Sequence, residues 1–222
     1  KRVLGDEVVV EADCFADGHD VVACSLLWRP AGDSGWRSVR MKPLGNDRWR
    51  ASFVVDALGG WWYTVRAWGD PFLSWRHDFG RRVELDDLRV AALTGATLLE
   101  QAARRAEPSS DAALLQAWAQ ELRRAAQGAE AAELRRLGMD EARAALASGH
   151  PDLSHARTFH LELPLTVERE RARFSSWYAF FPRSPSPELS RHGSFADCEA
   201  WLPYVAGMGF DVLYFPPIHP IG

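Results

Sequence analysis

From residue 7 to residue 82 the apolar positions favour alternation. Val8, Val10 and Ala12 fall on one side of an extended segment, with Glu7, Val9, Glu11 and Asp13 on the other. Four more extended stretches follow: Val21 to Trp28, Trp36 to Met41, Arg48 to Val55 and Trp61 to Trp68. Between them lie Asp17-Gly18, Pro30-Ala31-Gly32-Asp33, Gly45-Asn46-Asp47 and Gly59-Gly60, residues suited to tight turns. Short strands at this regular spacing predict an antiparallel β-sandwich of immunoglobulin/fibronectin type.

Over residues 88–148 the period changes. Leu114, Leu115, Trp118 and Leu122 fall at helical spacing, with Arg123 and Arg124 on the opposite side. Pro108-Ser109-Ser110-Asp111 reads as a break and a helix start, and Gly138 with Asp140 marks another boundary. Three or four short helices are expected. Gly149-His150-Pro151 closes them, and Phe159, Leu161 and Leu163 alternate again as a strand returning to the sandwich. The helices are therefore expected as an α-helical bundle inserted into a β domain: sandwich over 1–87 and 150–171, insert over 88–149.

The remaining segment reads as strand, helix, strand. Phe174 to Phe181 is aromatic and is closed by Pro182; Asp211 to Phe215 is apolar and is stopped by Pro216-Pro217. Between them Ser194 caps a helix running to about Met208, with Asp197 at its third position, Pro203 inside it and Gly207 and Gly209 around its end. A strand–helix–strand unit of this length predicts a parallel pair with a right-handed crossover.

Composition narrows the function classes. The 222 residues are 47% hydrophobic and 25% charged, with a net charge of −4. Neither a basic nucleic-acid footprint nor a membrane-spanning run is present in the sequence. Of 26 basic residues only Lys1 and Lys42 are lysine. The Arg pairs 81–82, 104–105, 123–124 and 135–136 read as solvated edges or helix faces. Cys14, Cys24 and Cys198 lack metal spacing and are expected as reduced thiols in a cytoplasmic protein. His155 and His160, five residues apart, suit no metal site, and no metal or cofactor is expected. No secretory leader is legible; the chain opens on Lys1 and stops at Gly222 after an apolar strand, and both ends read as cut points. Seven of the ten tryptophans lie between Trp28 and Trp75, where they either fill the sandwich core and its contacts or stack on sugar.

Three stretches carry a family resemblance. One is Lys1 to Val8 with Phe15-Ala16-Asp17-Gly18-His19-Asp20. The second is Tyr63-Thr64-Val65-Arg66-Ala67-Trp68-Gly69-Asp70-Pro71-Phe72, with Trp75-Arg76-His77-Asp78. The third joins Trp177 to Ser184, His192 to Glu199 and Met208 to Gly222. Together they resemble the N-terminal part of the bacterial α-1,4-glucan:maltose-1-phosphate maltosyltransferase family, within glycoside hydrolase family 13. The resemblance implies a sandwich with a helical insert, then a catalytic (β/α)8 barrel whose strand 1, helix 1 and strand 2 would occupy residues 172–222. It implies transfer of maltosyl units from maltose 1-phosphate to α-1,4-glucan with release of phosphate, with retention, by a homodimer formed through the N domain and the insert.

Retaining transfer needs two carboxyl groups about 5 Å apart. In the family these follow later barrel strands, so no catalytic residue is assigned to this chain. His219, after the second barrel strand, is the candidate for substrate binding, against the reading of a rim histidine; Tyr178 is expected in barrel core. The alternatives are a glucan-binding or assembly sandwich of an α-amylase-type glycoside hydrolase, and a hydrolase rather than a transferase.

Overall fold

The computed structural model describes residues 1–219. In chain order the strands and helices are β1 (Arg2–Val3), β2 (Glu7–Asp13), β3 (Val22–Pro30), β4 (Arg37–Arg40), β5 (Lys42–Gly45), β6 (Arg48–Val54) and β7 (Gly59–Gly69), then α1 (Pro71–Arg81), α2 (Leu85–Ala106), α3 (Ser110–Gly128), α4 (Ala131–Gly138) and α5 (Glu141–Ser148). They continue with β8 (Arg157–Thr158), β9 (Leu163–Glu168), β10 (Trp177–Ala179), α6 (Phe195–Gly207) and β11 (Val212–Tyr214). The fold is mixed α and β. The chain divides into two compact units, one of residues 1–7, 54–60 and 165–222, the other of residues 8–53 and 61–164.

The larger unit holds the alternating segments and five helices. β3 pairs antiparallel with both β4 and β7, and β8 pairs with β7. A second sheet runs in the order β2-β6-β5. Alternation decides which side chains meet between the sheets. Trp28 and Tyr63 are cross-strand partners. Phe53 of the other sheet stacks on Trp28 at 5.0 Å and meets Trp61 and Tyr63 at 6.2 and 6.3 Å. Leu26, Cys24, Met41 and Trp61 are buried around these rings. Large aromatic areas thus replace the aliphatic filling that a leucine-poor sheet lacks.

At the end of β7 the chain turns directly into a helix. Asp70 is the N-cap of α1, its carboxylate accepting from the Phe72 and Leu73 amides at 3.1 Å, and Pro71 opens the first turn. The strand reading over residues 7–82 therefore fails at 71–81. Phe72, Trp75 and Phe79 are buried at helical spacing. They carry the sequence's appearance of a strand because aromatic residues also favour sheets. Helical structure accordingly starts at Pro71 and resumes at Leu85, and there are five helices before β8, two of them 22 and 19 residues long.

The helices share one core of Phe72, Trp75, Phe79, Leu88, Leu99, Leu115, Trp118, Leu122 and Leu134, with alanines between. Each large indole is satisfied: Trp75 Nε1 donates to the Ala91 carbonyl at 2.7 Å, and Trp118 Nε1 to that of Leu137 at 3.0 Å. The arginine pairs are not merely solvated. Arg123 grips Glu100 with two bonds of 2.8 and 3.0 Å, Arg105 donates to the His150 carbonyl, and Arg135 to those of Gly80 and Arg82. They cross-link neighbouring segments, because a planar guanidinium reaches several carbonyls or a whole carboxylate at once.

The smaller unit contains two parallel strand pairs. β1 lies beside β9, with Arg2 opposite Val167 and Val3 opposite Glu168. β10 lies beside β11, with Trp177 opposite Val212 and Ala179 opposite Tyr214. α6 connects them, so the expected strand–helix–strand order with a parallel pair is present. β10 is shorter than the aromatic run suggests: it spans Trp177–Ala179, matching the three residues of its partner. Beyond Ala179 the extended backbone has no ladder to join. Gly209, at φ 86°, ends α6 in the left-handed conformation that glycine adopts freely. Residues 220–222, the last of the third motif, lie outside the described residues. No described helix is long and apolar enough to cross a membrane.

Gly95 on α2 is set against Trp75, and a Cβ there would overlap the indole ring. Alanine favours a helix over glycine by about 1 kcal/mol. Overpacking costs about 1–3 kcal/mol. Gly95→Ala is therefore expected to lower the urea midpoint; a raised midpoint would show that the Trp75 contact is dispensable.

Candidate functional site

The carboxyl ends of β10 and β11 point toward one concave site of about 440 Å³. Phe181, Pro182 and Arg183, after β10, form one side. Pro217, Ile218 and His219, after β11, form another, and Gly193 to Phe195 bring the start of α6 between them. Loops after parallel strands gather at one end of the sheet, where such folds place their ligands. His219 is exposed on this rim. Tyr178 is instead half-buried and packs on Phe210 at 5.1 Å and on Phe180 at 6.1 Å.

Glycine is required at 193. Its amide donates to the Arg183 carbonyl at 2.9 Å, and a Cβ would stand 2.6 Å from the Pro182 carbonyl oxygen. This backbone contact locks the loop after β10 to the entry of α6. Cys198, one turn into the helix, points its Sγ at the same Pro182 carbonyl, 3.7 Å away. Burial pushes the Cys198 thiol up, so the group serves as packing rather than as a nucleophile.

Electrostatics fix the start of α6. Ser194 accepts from the Asp197 amide, and the Asp197 carboxylate accepts from the Ser194 amide at 2.7 Å, a reciprocal capping box. Arg191 then grips the same carboxylate with two bonds of 2.9 and 3.0 Å. The Arg191 guanidinium, followed by the Ser194 hydroxyl and amide, holds the Asp197 carboxyl well below its ordinary range. The capping pair is legible from the Ser-x-x-Asp spacing. Arg191 is not, because a contact from a loop residue to a helix six positions on has no periodic signature.

Aromatic rings of the same segment pack in a continuous series, of which Phe195 lines the pocket. Phe180 meets Phe215 edge-on at 5.3 Å and Trp201 at 5.8 Å, and Phe195 meets Phe215 at 6.4 Å. The site can offer a planar apolar surface, one imidazole and one guanidinium to a polar ligand. Among the described residues no three His, Cys, Asp or Glu side chains converge as a metal site would require.

The tryptophans concentrated between Trp28 and Trp75 lie elsewhere. Trp61, Trp68 and Trp75 are buried, Trp28 is stacked on Phe53, and Trp49 donates its indole N–H to the Cys14 carbonyl at 3.1 Å. These side chains are committed to packing.

The lowered Asp197 value gives a signed pH effect. A depressed carboxyl supports α6 fully above its ordinary value of 3.8, and the support is lost as pH falls below that through the lowered value. In Arg191→Gln the Asp197 titration followed by carboxyl carbon NMR is expected to move upward toward the ordinary value. An identical midpoint in both proteins would remove Arg191 from this role.

Residues 1–169 match the family described as alpha-1,4-glucan:maltose-1-phosphate maltosyltransferase, domain N/S. Curated relatives bearing that enzyme name include those of Myxococcus xanthus and Chlorobaculum tepidum. Both are 42% identical over 100% of this chain, which covers 34% and 32% of their lengths. The Streptomyces coelicolor enzyme 1 is 40% identical, again over 100% of this chain and 33% of its own. The chain thus spans about a third of the length of the curated relatives it matches. By the match over 169 of its residues, it belongs to the alpha-1,4-glucan:maltose-1-phosphate maltosyltransferase family.

Proposed function

We propose that this chain is the N-terminal portion of an enzyme that transfers maltosyl units from maltose 1-phosphate to α-1,4-glucan, releasing phosphate, in cytoplasmic α-glucan synthesis. The observation that carries this reading is identity of about 40% to enzymes of that name across the whole chain, the strand–helix–strand segment included. The domain plan we propose is a β-sandwich of residues 1–87 and 150–171, in which α1 is the exit helix, a helical insert of 88–149, and the start of a (β/α)8 barrel at 172–222. Rings meeting between two sheets support the sandwich. The parallel β10–β11 pair joined by α6 supports the barrel start.

In this reading the pocket beside His219 is one wall of the sugar site. His219 hydrogen-bonds a substrate hydroxyl, Phe181 and Phe195 shape the apolar side, and Gly193 with Arg191 holds the wall in place. The two carboxyl groups of retaining transfer belong to the rest of the enzyme. The isolated chain is expected to release no phosphate from maltose 1-phosphate and glucan, while the full-length enzyme does. In that enzyme His219→Ala is expected to raise KM about tenfold with little change in kcat, the mark of lost ground-state binding. Turnover by the isolated chain, or a wild-type KM in the variant, would refute the assignment.

We further propose that the enzyme is a homodimer through this N-terminal region, with α2 at the two-fold contact. Val90 and Leu93 are 66% and 42% exposed on α2 and share a face with Thr94 and Thr97. Both threonine hydroxyls bond back to their own helix, at the Val90 and Leu93 carbonyls, and so turn methyl groups outward. An antiparallel second copy centred between Thr94 and Thr97 sets Asp87 opposite Arg104, a self-complementary pattern suited to two-fold symmetry. Sedimentation should show Val90→Glu as monomer. Asp87→Arg should weaken the dimer, with restoration on adding Arg104→Asp. A dimer indifferent to all three would place the contact elsewhere.

A further inference from the structure

The outer face of the β4-β3-β7 sheet carries a groove of about 360 Å³. This is near the lower end of ligand-pocket sizes, about 300–1,000 Å³. Its floor follows from strand register. Ser25 of β3 is paired with Arg40 of β4 on one side and with Arg66 of β7 on the other. Directly paired residues share a sheet face, so two arginines flank one serine. The two arginines stand on strands about 10 Å apart, within joint reach of one small anion.

The charges are unequally compensated. Arg40 bonds the buried Asp70 carboxylate at 3.1 Å and lies over the Trp68 ring at 4.4 Å, so its position is fixed. Arg66 has a hydroxyl partner, Thr158 Oγ1 at 3.2 Å. The groove lining contains Arg40, Arg66 and three serines, at 25, 38 and 148, and no carboxylate. Trp36, Leu27, Pro151 and Leu153 provide an apolar half beside this polar floor. Asp70 offsets the Arg40 charge, whereas the partner of Arg66 is a neutral hydroxyl. Guanidinium forks and hydroxyls are the donors that phosphate oxygens accept best.

We propose that this groove binds a small phosphate monoester, with Arg66 and Arg40 on the phosphate, Ser25 donating between them, and the Trp36 side covering the organic part. The site is separate from the pocket beside His219 and does not depend on the enzymatic reading above. Its occupant could supply the phosphate as the free ion or as a sugar ester, and these are separable.

The test is a titration of the 222-residue chain with inorganic phosphate, glucose 1-phosphate and glucose, followed by tryptophan fluorescence at two salt concentrations. Saturable binding of both phosphates, weakened by salt, is expected, with none for glucose. Tighter binding of glucose 1-phosphate identifies the ester as the ligand; equal binding identifies the free ion. Arg66→Gln should weaken binding about tenfold or more, the loss expected for a charge-assisted bond. Arg124→Gln, on α3 outside the groove, should leave it unchanged. Ser25→Asp, which places a carboxylate between the two guanidinium groups, should also abolish binding and guards against misfolding of the first variant, with thermal melts confirming fold. Glucose binding as well as its phosphate, or folded Arg66→Gln and Ser25→Asp proteins titrating like the parent chain, would overturn the proposal.

Discussion

The larger unit depends on one buried carboxylate. Asp70 is 2% exposed, at the residue where β7 stops and α1 starts. Its side chain accepts from two α1 amides, from Arg40 Nη2 at 3.1 Å and from Trp68 Nε1 at 3.3 Å. Its backbone is equally engaged: the Asp70 amide donates to the Val21 carbonyl, and the Ser74 hydroxyl donates to the Asp70 carbonyl while accepting from the Val21 amide. An uncompensated charge here would cost several kcal/mol. With all four donors in place it fixes the direction in which the helices leave the sheet. The positive end of α1 faces the carboxylate, adding a favourable dipole term. The sheet and the helical core consequently fold against a common, fully hydrogen-bonded corner rather than as two bodies on a tether.

Much of this architecture was legible because burial on one side imposes a period. The alternation Val8, Val10, Ala12 marks the inward side of β2, and Leu115, Trp118 and Leu122 mark the core side of α3. The turn glycines fall where the backbone requires them; Gly45 and Gly59 have φ of 92° and 107°. The failures have a shared cause. α1 was hidden because its aromatic residues suit a strand as well as a helix, and the deciding signal, Asp-Pro as cap and first turn, is only two residues long. Gly95 makes room for Trp75, twenty residues away. Contacts of that kind come from packing, and no local pattern encodes them.

The pocket beside His219 divides along the same line. The strands and the helix cap followed from local chemistry; the place of His219 came from the family resemblance. The parts that give the wall its rigidity did not: Gly193 against Pro182, Arg191 on Asp197, and the ring bed of Phe180, Phe215 and Trp201. The ring contacts join residues that follow both strands to the helix, and Gly193 joins the loop after β10 to the start of α6, so neither has a local pattern.

Three arginines of the larger unit pair an indole with a carboxylate. Arg40 lies over Trp68 while bonding Asp70, Arg29 lies over Trp36 while bonding Glu162, and Arg143 lies near Trp118 while bonding Glu121. In each case a planar, weakly hydrated cation lies within cation–π range of an indole and bonds a carboxylate. A lysine cannot do both, since its charge is a hydrated point with no face. The near absence of lysine is therefore consistent with a structural constraint: exchanging these arginines would lose the ring contact even where the charge was kept.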